Sequence, residues 1–279
     1  MSKKNLETYL PTLPVCDSNN GSSLSPIWET HCHLDMLKET NVEELISSLE
    51  HGGIERITTI ATSKKNFEKV VQFSNKYQSV YFTLGTHPHE AKDFDEKDFK
   101  FIRETYQKNK KLIAVGEIGL DYFYDFSPRE KQIPALEKQL ELSIELDLPV
   151  VIHNRESDED MISVLKNFEG KARGVIHSFS SGQKLAEEAL DLGFYLGFNG
   201  MATFKTAENV RSAIEKCPIE RILIETDAPF LTPTPFRGRE NNSKYLPIIA
   251  QKIVELKGLD PEEGLKVIYQ NSLNCFNRA

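Results

Sequence analysis

Two histidines separated by a single residue, His31 and His33, are the first feature of the sequence that could carry chemistry. They end a short segment with the composition of a strand, in which alternate residues face the same side, so both imidazoles could bind one metal ion. Cys32 faces the other way, and we expect it to pack against apolar neighbours. A lone histidine more often has a packing or surface role, so it is the pair that predicts metal ligands.

Four further titratable residues each follow an apolar run of the kind found in buried strands: Glu117, His153, His177 and Asp227. Taken singly, each could be an ordinary polar residue at a wet strand end. If all six side chains lay at one site without a cation, the carboxylates would be desolvated and the imidazoles would have no partner. Two divalent ions would satisfy them and would supply Lewis acidity and an activated water. The six residues therefore predict a binuclear metal site, provided that the fold brings the strand ends together.

The elements that must position these residues are apolar, β-branched runs that recur along the chain. Several are almost continuously hydrophobic, as expected for parallel strands covered on both faces. Stretches with helical periodicity lie between them, such as Val42–Glu50, with Thr40 or Asn41 as a candidate N-cap. The eight candidate strands are Ile27–Leu34, Arg56–Ser63, Val80–Pro88, Leu112–Asp121, Leu148–Arg155, Ala172–Phe179, Gly193–Phe198 and Ile222–Phe230.

Eight strands alternating with helices, without a change of composition that would mark a linker, predict a single (β/α)8 TIM barrel of the α/β class. The carboxyl ends of all its strands would meet around one mouth and would bring the six residues together. A doubly wound open sheet is the alternative. Such a sheet usually has a glycine-rich phosphate turn after its first strand, and the segment Thr30–Asp35 has no glycine.

Composition sets further bounds on the function. Apolar residues make up 39% of the chain and charged residues 27%, and no apolar run is long enough to cross a bilayer, so we expect no membrane role. The four cysteines, Cys16, Cys32, Cys217 and Cys275, are scattered, which favours reduced thiols and a cytoplasmic location. The net charge of −8 gives no global sign of a nucleic-acid binder, so any phosphate binding must be local.

The chain is expected to have two parts. Residues 1–26 are rich in Ser, Asn and Pro and lack the continuous apolar stretch of a secretory signal, so we interpret them as a flexible extension. Residues 27–279 would form the barrel domain. Removal of the extension should leave the barrel folded. The sequence does not indicate an oligomeric state.

Five segments, in this order along the chain, resemble the signature blocks of the TatD family of metal-dependent deoxyribonucleases. They are Glu29–Asp35, Gly116–Tyr122, Val151–Arg155, Ile176–Ser180 and Glu225–Phe230. The resemblance covers the chain from about Ile27 onward. It implies two divalent cations, one held by His31, His33, Glu117 and Asp227 and the other by Glu117, His153 and His177. Glu117 would bridge them, and Asp227 would be the general base that orients the attacking water.

The resemblance also implies contacts with a DNA substrate. Arg155, just past His153, and Arg237 match positions suited to bidentate phosphate recognition. His87 and His89 match a family block at the third strand end and would contact substrate rather than metal. The implied activity is hydrolysis of DNA phosphodiester bonds at single strands or strand ends, because a recessed barrel mouth admits a single strand more easily than a duplex.

Three segments depart from the family pattern. Glu29 stands where Asp is common, the segment Ser178–Gly182 has one extra residue before its glycine, and Arg239–Ser243 lacks the usual basic, proline-containing stretch. The first could alter the orientation of a metal ligand. The other two put contacts at the substrate rim in doubt, but not the metal core.

Two alternatives to the nuclease remain open. The same binuclear chemistry would serve a hydrolase of a small ester, amide or phosphate, and the negative net charge favours such substrates. A non-catalytic metal-binding protein would be expected to have an incomplete ligand set, whereas all six positions are filled here. The choice among magnesium, manganese, zinc and iron also stays open, because mixed histidine and carboxylate sites accept several metals.

Overall fold

The computed structural model describes residues 25–49, 53–124 and 126–278. Eight parallel strands lie in sequence order around a nearly closed (β/α)8 barrel, which confirms the predicted TIM barrel. Most of the predicted extension over residues 1–26 lies outside the described residues, so that prediction stays untested. The strands are β1 Ile27–Cys32, β2 Ile54–Ile60, β3 Val80–Leu84, β4 Leu112–Asp121, β5 Val150–Arg155, β6 Gly174–Ile176, β7 Tyr195–Phe198 and β8 Ile222–Ile224.

Helices cover the outside of the strands. Asn41, one of the two candidate N-caps, accepts the Glu43 backbone N–H at 2.9 Å and so starts the first helix. Within the described chain, no helix is both long and apolar enough to cross a bilayer. The helices are α1 Val42–Leu49, α2 Phe67–Lys76, α3 Glu96–Lys108, α4 Arg129–Glu145, α5 Asp158–Asn167, α6 Gln183–Asp191, α7 Glu208–Lys216, α8 Leu246–Lys257 and α9 Pro261–Cys275.

The apolar core has two parts. The larger lies between the strands and the surrounding helices, and Cys32 packs there as expected. The smaller contains Trp28, Val151 and Val175 from the strands and Phe276 just after α9. The Trp28 and Phe276 rings lie 5.6 Å apart. The additional C-terminal helix therefore ends against the strand side chains of this second cluster.

The barrel closes between β1 and the segment after β8. The Asp227 N–H donates to the His31 carbonyl at 2.9 Å, and the His33 N–H donates to the Ala228 carbonyl at 2.8 Å. Two predicted metal ligands of β1 and one from the eighth strand end are thus joined through their backbones. The hydrogen bonds that close the barrel therefore also place these ligands next to one another.

Gly119 lies in β4 opposite His153 of β5. Its φ is +148°, and a Cβ there would lie 1.9 Å from the His153 carbonyl oxygen. We expect Gly119→Ala to lower the free energy of unfolding by at least about 3 kcal/mol, because clash and backbone strain add. Denaturant unfolding would measure this loss.

Gly170→Ala is the matched control, since Gly170 has a φ of +68° but no heavy atom within 4 Å of the position that a Cβ would take. Its expected cost is only about 1 kcal/mol, from the left-handed backbone alone. Equal losses for the two variants would contradict the role assigned to the close approach of the strands.

Candidate metal centre

The carboxyl ends of the strands bring the six predicted ligands to one site, at the base of a cavity of about 590 Å³. His31 and His33 come from the end of β1, and Glu117 lies inside β4 rather than at its end. His177 directly follows β6, and Asp227 lies three residues after β8. The side chains converge even though they are distant in sequence, as the barrel fold requires.

Glu117 stands between two groups of histidines. Its Oε2 faces the Nε2 atoms of His31, at 3.5 Å, and His33, at 3.8 Å. Its Oε1 faces the His153 Nδ1 at 3.1 Å and the His177 Nε2 at 2.8 Å. The two oxygens of one carboxylate are thus directed at two separate sets of nitrogen atoms. This is the arrangement needed for a carboxylate that bridges two cations.

Asp227 completes the first group. Its Oδ1 lies 3.7 Å from the His31 Nε2 and 3.6 Å from the His33 Nε2. Its side chain is 13% exposed, more than those of His31 and Glu117, and it lines the cavity. The backbone at Asp227 has a φ of 56°, a left-handed conformation that Asp tolerates better than most residues. The carboxylate therefore faces both the histidines and the space a substrate would enter.

Hydrogen bonds on the far side of the rings decide which nitrogen each histidine presents. The His33 Nδ1 lies 3.3 Å from the Ile60 carbonyl, which can only accept, so the Nε2 is left for a metal. The His153 Nε2 lies 3.1 Å from the Asp121 carboxylate, which leaves its Nδ1 facing Glu117. Such outer contacts are typical of metal-binding histidines.

The buried polar atoms test whether the site fits a cation. Among the residues that the structure describes, both ring nitrogens of His31 are buried and have no hydrogen-bond partner. Burial raises the pKa of Glu117, but the surrounding histidines outweigh it and hold that pKa well below its usual range. An ionised buried carboxylate beside unpartnered imidazole nitrogens fits a divalent cation. His31, His33 and Asp227 could hold one ion. Near the Glu117 Oε1, which His153 and His177 face, the group that could hold a second ion is His87, Glu117 and His153.

His87 lies closer to this centre than the sequence indicates. Its Nε2 is 3.4 Å from the Glu117 Oε1, and burial lowers its pKa to about 4, so the ring is neutral. Its Nδ1 accepts the His89 backbone N–H at 3.1 Å. A neutral imidazole that accepts at one nitrogen carries its proton on the other, so Nε2 is a donor. His87 also forms, with Glu117 and His153, a group that could hold a cation, so its predicted role of contacting substrate rather than metal stays a prediction.

His89 and Arg155 also line the cavity, whereas Arg237 does not. The Arg155 guanidinium is exposed and lies over the Phe123 ring at 4.1 Å. Arg237 donates to the Thr232 carbonyl at 3.1 Å, and its guanidinium lies 3.9 Å from the Phe204 ring centroid. The structure thus brings one of the two predicted phosphate-binding arginines to the site. Binding by either arginine stays a prediction.

Asp121 and Glu225 are two residues at the site for which the sequence predicts no role. The Asp121 Oδ2 accepts from His153 at 3.1 Å and from His89 at 2.9 Å. Glu225 directly follows β8, accepts the Ser178 N–H at 2.6 Å and lies 3.6 Å from the His177 Nδ1. Both are buried carboxylates, and the only signal for them in the sequence is that they lie inside the segments Gly116–Tyr122 and Glu225–Phe230.

We expect Asp121→Asn to weaken metal binding by roughly 10- to 100-fold, because His153 loses a charged acceptor that fixes its orientation. Isothermal titration with zinc or manganese would measure the change. Asp147→Asn is a matched control, since Asp147 pairs with Arg173 on the exposed surface. Equal affinities in the wild type and Asp121→Asn would show that His153 is held in place by other contacts.

Glu29, the departure in the first block, is completely buried. Its Oε1 accepts the Thr226 N–H at 2.8 Å, and burial raises its pKa to about 8. The longer carboxylate therefore contacts the backbone between Glu225 and Asp227. The structure places this residue beside the eighth strand end, where it supports the backbone that carries a predicted ligand.

Comparison with known proteins agrees with this geometry. The sequence profile described as TatD related DNase matches residues 29–277. "Uncharacterized metal-dependent hydrolase YabD" of Bacillus subtilis (strain 168) is 35% identical over 252 residues, which cover 90% of this chain and 98% of that protein. "Uncharacterized metal-dependent hydrolase YcfH" of Escherichia coli (strain K12) is 30% identical over 255 residues, which cover 89% and 95%.

Solved structures give the same result. The crystal structure of YjjV, a TatD homologue from Escherichia coli K12, superposes with a TM-score of 0.83 at 30% identity and covers 90% of this chain and 98% of its own. A dihydroorotase structure, with a TM-score of 0.61 and 14% identity over 90% of this chain and 72% of its own, shares the fold alone. The chain belongs to the TatD family of metal-dependent hydrolases.

Proposed function

We propose that the protein is a deoxyribonuclease that hydrolyses phosphodiester bonds of DNA from strand ends, with two divalent metal ions. The observation that carries the proposal is Glu117, whose two oxygens are directed at separate histidine groups. When bound, divalent cations polarise a phosphoryl oxygen and make water a stronger nucleophile. Two such ions suit the in-line displacement of an alkoxide from phosphorus.

Three residues that line the cavity have proposed roles in the reaction. Asp227, which faces both the metal ligands and the cavity, accepts the proton of the attacking water. His87, with its proton on Nε2, donates a hydrogen bond to a phosphate oxygen or to Glu117. Arg155 at the cavity rim pairs with a neighbouring phosphate. This contact with Arg155 is local, which agrees with a chain whose net charge is −8.

The depth of the ligands favours a single strand or a frayed end. His31, Glu117 and His177 are almost fully buried, so the scissile phosphate must enter the cavity to reach them. The cavity volume of about 590 Å³ lies within the range of ordinary ligand pockets and could hold a nucleotide. A duplex is too wide to enter such a recess, whereas an unpaired strand can.

The test is incubation of the purified protein with end-labelled single-stranded and double-stranded DNA, with magnesium, manganese or zinc added in turn. We expect metal-dependent release of nucleotides from one end, in an order that shows the polarity. Glu117→Ala should release none, and Glu169→Ala, at an exposed position after α5, should act as the wild type does. Equal nicking by all three proteins would indicate a contaminant. Turnover of small ester, amide or phosphate substrates without DNA cleavage would favour the alternative hydrolase.

A further inference from the structure

Large apolar side chains are exposed mostly around the mouth of the barrel. Of the six such side chains that are exposed in the described chain, four lie here: Phe123 at 50%, Tyr124 at 39%, Phe126 at 57% and Phe230 at 52%. The first three lie in the connection between β4 and α4, and we call these three residues, Phe123, Tyr124 and Phe126, the aromatic loop. Exposed apolar surface gathered in one place costs solubility and commonly marks a binding site.

Hydrogen bonds connect the residues of the aromatic loop, and the neighbouring Tyr122, to other parts of the protein. The Asp121 Oδ1 accepts the backbone N–H groups of Phe123, at 3.0 Å, and Tyr124, at 2.9 Å. The Tyr122 hydroxyl donates to Asp160 at 2.6 Å, and the Lys92 ammonium donates to the Phe126 carbonyl at 3.0 Å. The backbone at each of the three rings is therefore hydrogen-bonded while the rings are exposed to solvent, and such bonding lowers the entropy lost when a ligand packs on them.

The rings form a continuous series of ring contacts, one stacked and the others edge-to-face, that reaches the metal centre. The Tyr124 and Phe126 rings are stacked with centroids 5.4 Å apart and an angle of 19° between their planes. Both contact His89, at 5.4 Å and 4.8 Å. His89 in turn lies 6.3 Å from the ring of the predicted ligand His153. One side chain thus separates the aromatic loop from the metal ligands.

A positively charged guanidinium group lies against the rings of the aromatic loop. The Arg155 guanidinium lies 4.1 Å from the Phe123 centroid and 4.9 Å from the Tyr124 centroid, and Arg155 and Tyr124 both line the central cavity. Aromatic faces next to a guanidinium are the combination that binds single-stranded nucleic acid, because bases stack on the rings and the cation pairs with the backbone. An ester or amide small enough to fit the cavity would make no use of rings outside it.

We propose that the aromatic loop is a base-stacking platform that receives an unpaired nucleobase of the strand whose phosphate lies at the metal centre. The proposal rests on the proposed nuclease function and adds the substrate class, since it requires a base with an aromatic face. It also accounts for a nucleic-acid site on a chain of net charge −8, because stacking does not depend on charge.

A binding experiment tests the platform without requiring cleavage. The metal-loaded protein is titrated into a single-stranded oligonucleotide with phosphorothioate linkages and a terminal 2-aminopurine, whose fluorescence is quenched by stacking. We expect quenching with the wild type and a roughly tenfold higher Kd with Phe126→Ala or Tyr124→Ala. Leu259→Ala, an exposed apolar control elsewhere on the surface, should bind as the wild type does. Equal quenching and equal Kd for the wild type and both loop variants would overturn the inference.

A kinetic experiment separates this inference from the proposed function. Oligonucleotides ending in thymidine or in 5,6-dihydrothymidine have the same hydrogen-bonding groups, but only thymidine has an aromatic ring. The wild type should have a roughly tenfold lower KM for thymidine, and Phe126→Ala should lose this preference. Cleavage of both strands with equal KM by the wild type would overturn the platform but keep the nuclease. Absence of cleavage by the wild type would overturn the nuclease, and the quenching experiment would still decide the platform.

Discussion

Asp227→Asn is expected to lower kcat for the metal-dependent reaction by roughly 10²- to 10⁴-fold, because the amide cannot accept a proton from the attacking water. The fold should survive, since Asn adopts the left-handed backbone found at Asp227, where φ is 56°, about as readily as Asp. Its backbone N–H can still donate to the His31 carbonyl and hold the closure of the barrel. Steady-state kinetics at saturating metal would give kcat and KM separately.

Asp191→Asn is a suitable control, because Asp191 is an exposed carboxylate at the end of α6 that does not line the central cavity. Its kcat should stay close to that of the wild type. If Asp227→Asn kept more than about a tenth of the wild-type kcat at saturating metal, its assignment as general base would be wrong. A change in KM alone would instead indicate a role in binding.

Glu117→Gln is expected to reduce the bound metal from two ions to at most one and to lower activity by roughly a thousandfold or more. Glutamine keeps the shape, but it has one oxygen and no charge, so it cannot face both histidine groups as an anion. Elemental analysis of protein dialysed against zinc would count the ions, and the same sample would give the rate.

Glu169→Gln, an exposed replacement of the same kind, should keep both the metal content and the rate. Two ions bound by Glu117→Gln would contradict the bridging role. A folded variant with one ion and nearly full activity would show that a single ion suffices for turnover. Circular dichroism would establish that the variant is folded, which matters because Glu117 is buried among histidines.

The sequence predicts the order and type of the strands well, but it overextends several carboxyl ends. The hydrophobic pattern predicts one strand over Ile222–Phe230, whereas β8 ends at Ile224, and Ala172–Phe179 contracts to Gly174–Ile176. In both cases a residue with positive φ follows, Asp227 at 56° and Ser178 at 49°, and the chain leaves the sheet. In both segments a few polar residues follow the strand and apolar residues then return, at Ala228 and Phe179, so the hydrophobic pattern alone does not locate the end.

The convergence of the six candidate ligands could be predicted because each follows an apolar run and the barrel brings such positions together. The contacts that orient the ligands could not. Asp121 is 32 residues from both His89 and His153, and their hydrogen bonds depend on side-chain directions that spacing does not determine. The contacts of Glu240, in the segment Arg239–Ser243 that departs from the family pattern, could not be predicted either. Its carboxylate accepts the Lys38 and Thr40 backbone N–H groups at 2.7 and 2.9 Å.

The hydrogen bonds that close the barrel bear on the biosynthesis of the protein. A nascent chain that has emerged only as far as β7 contains five of the six predicted ligands but not Asp227, which follows β8. Nor can it make the bonds from Asp227 to His31 and from His33 to Ala228 that join the two edges. We therefore expect incomplete translation products, or fragments cut before the last strand, to be inert as hydrolases.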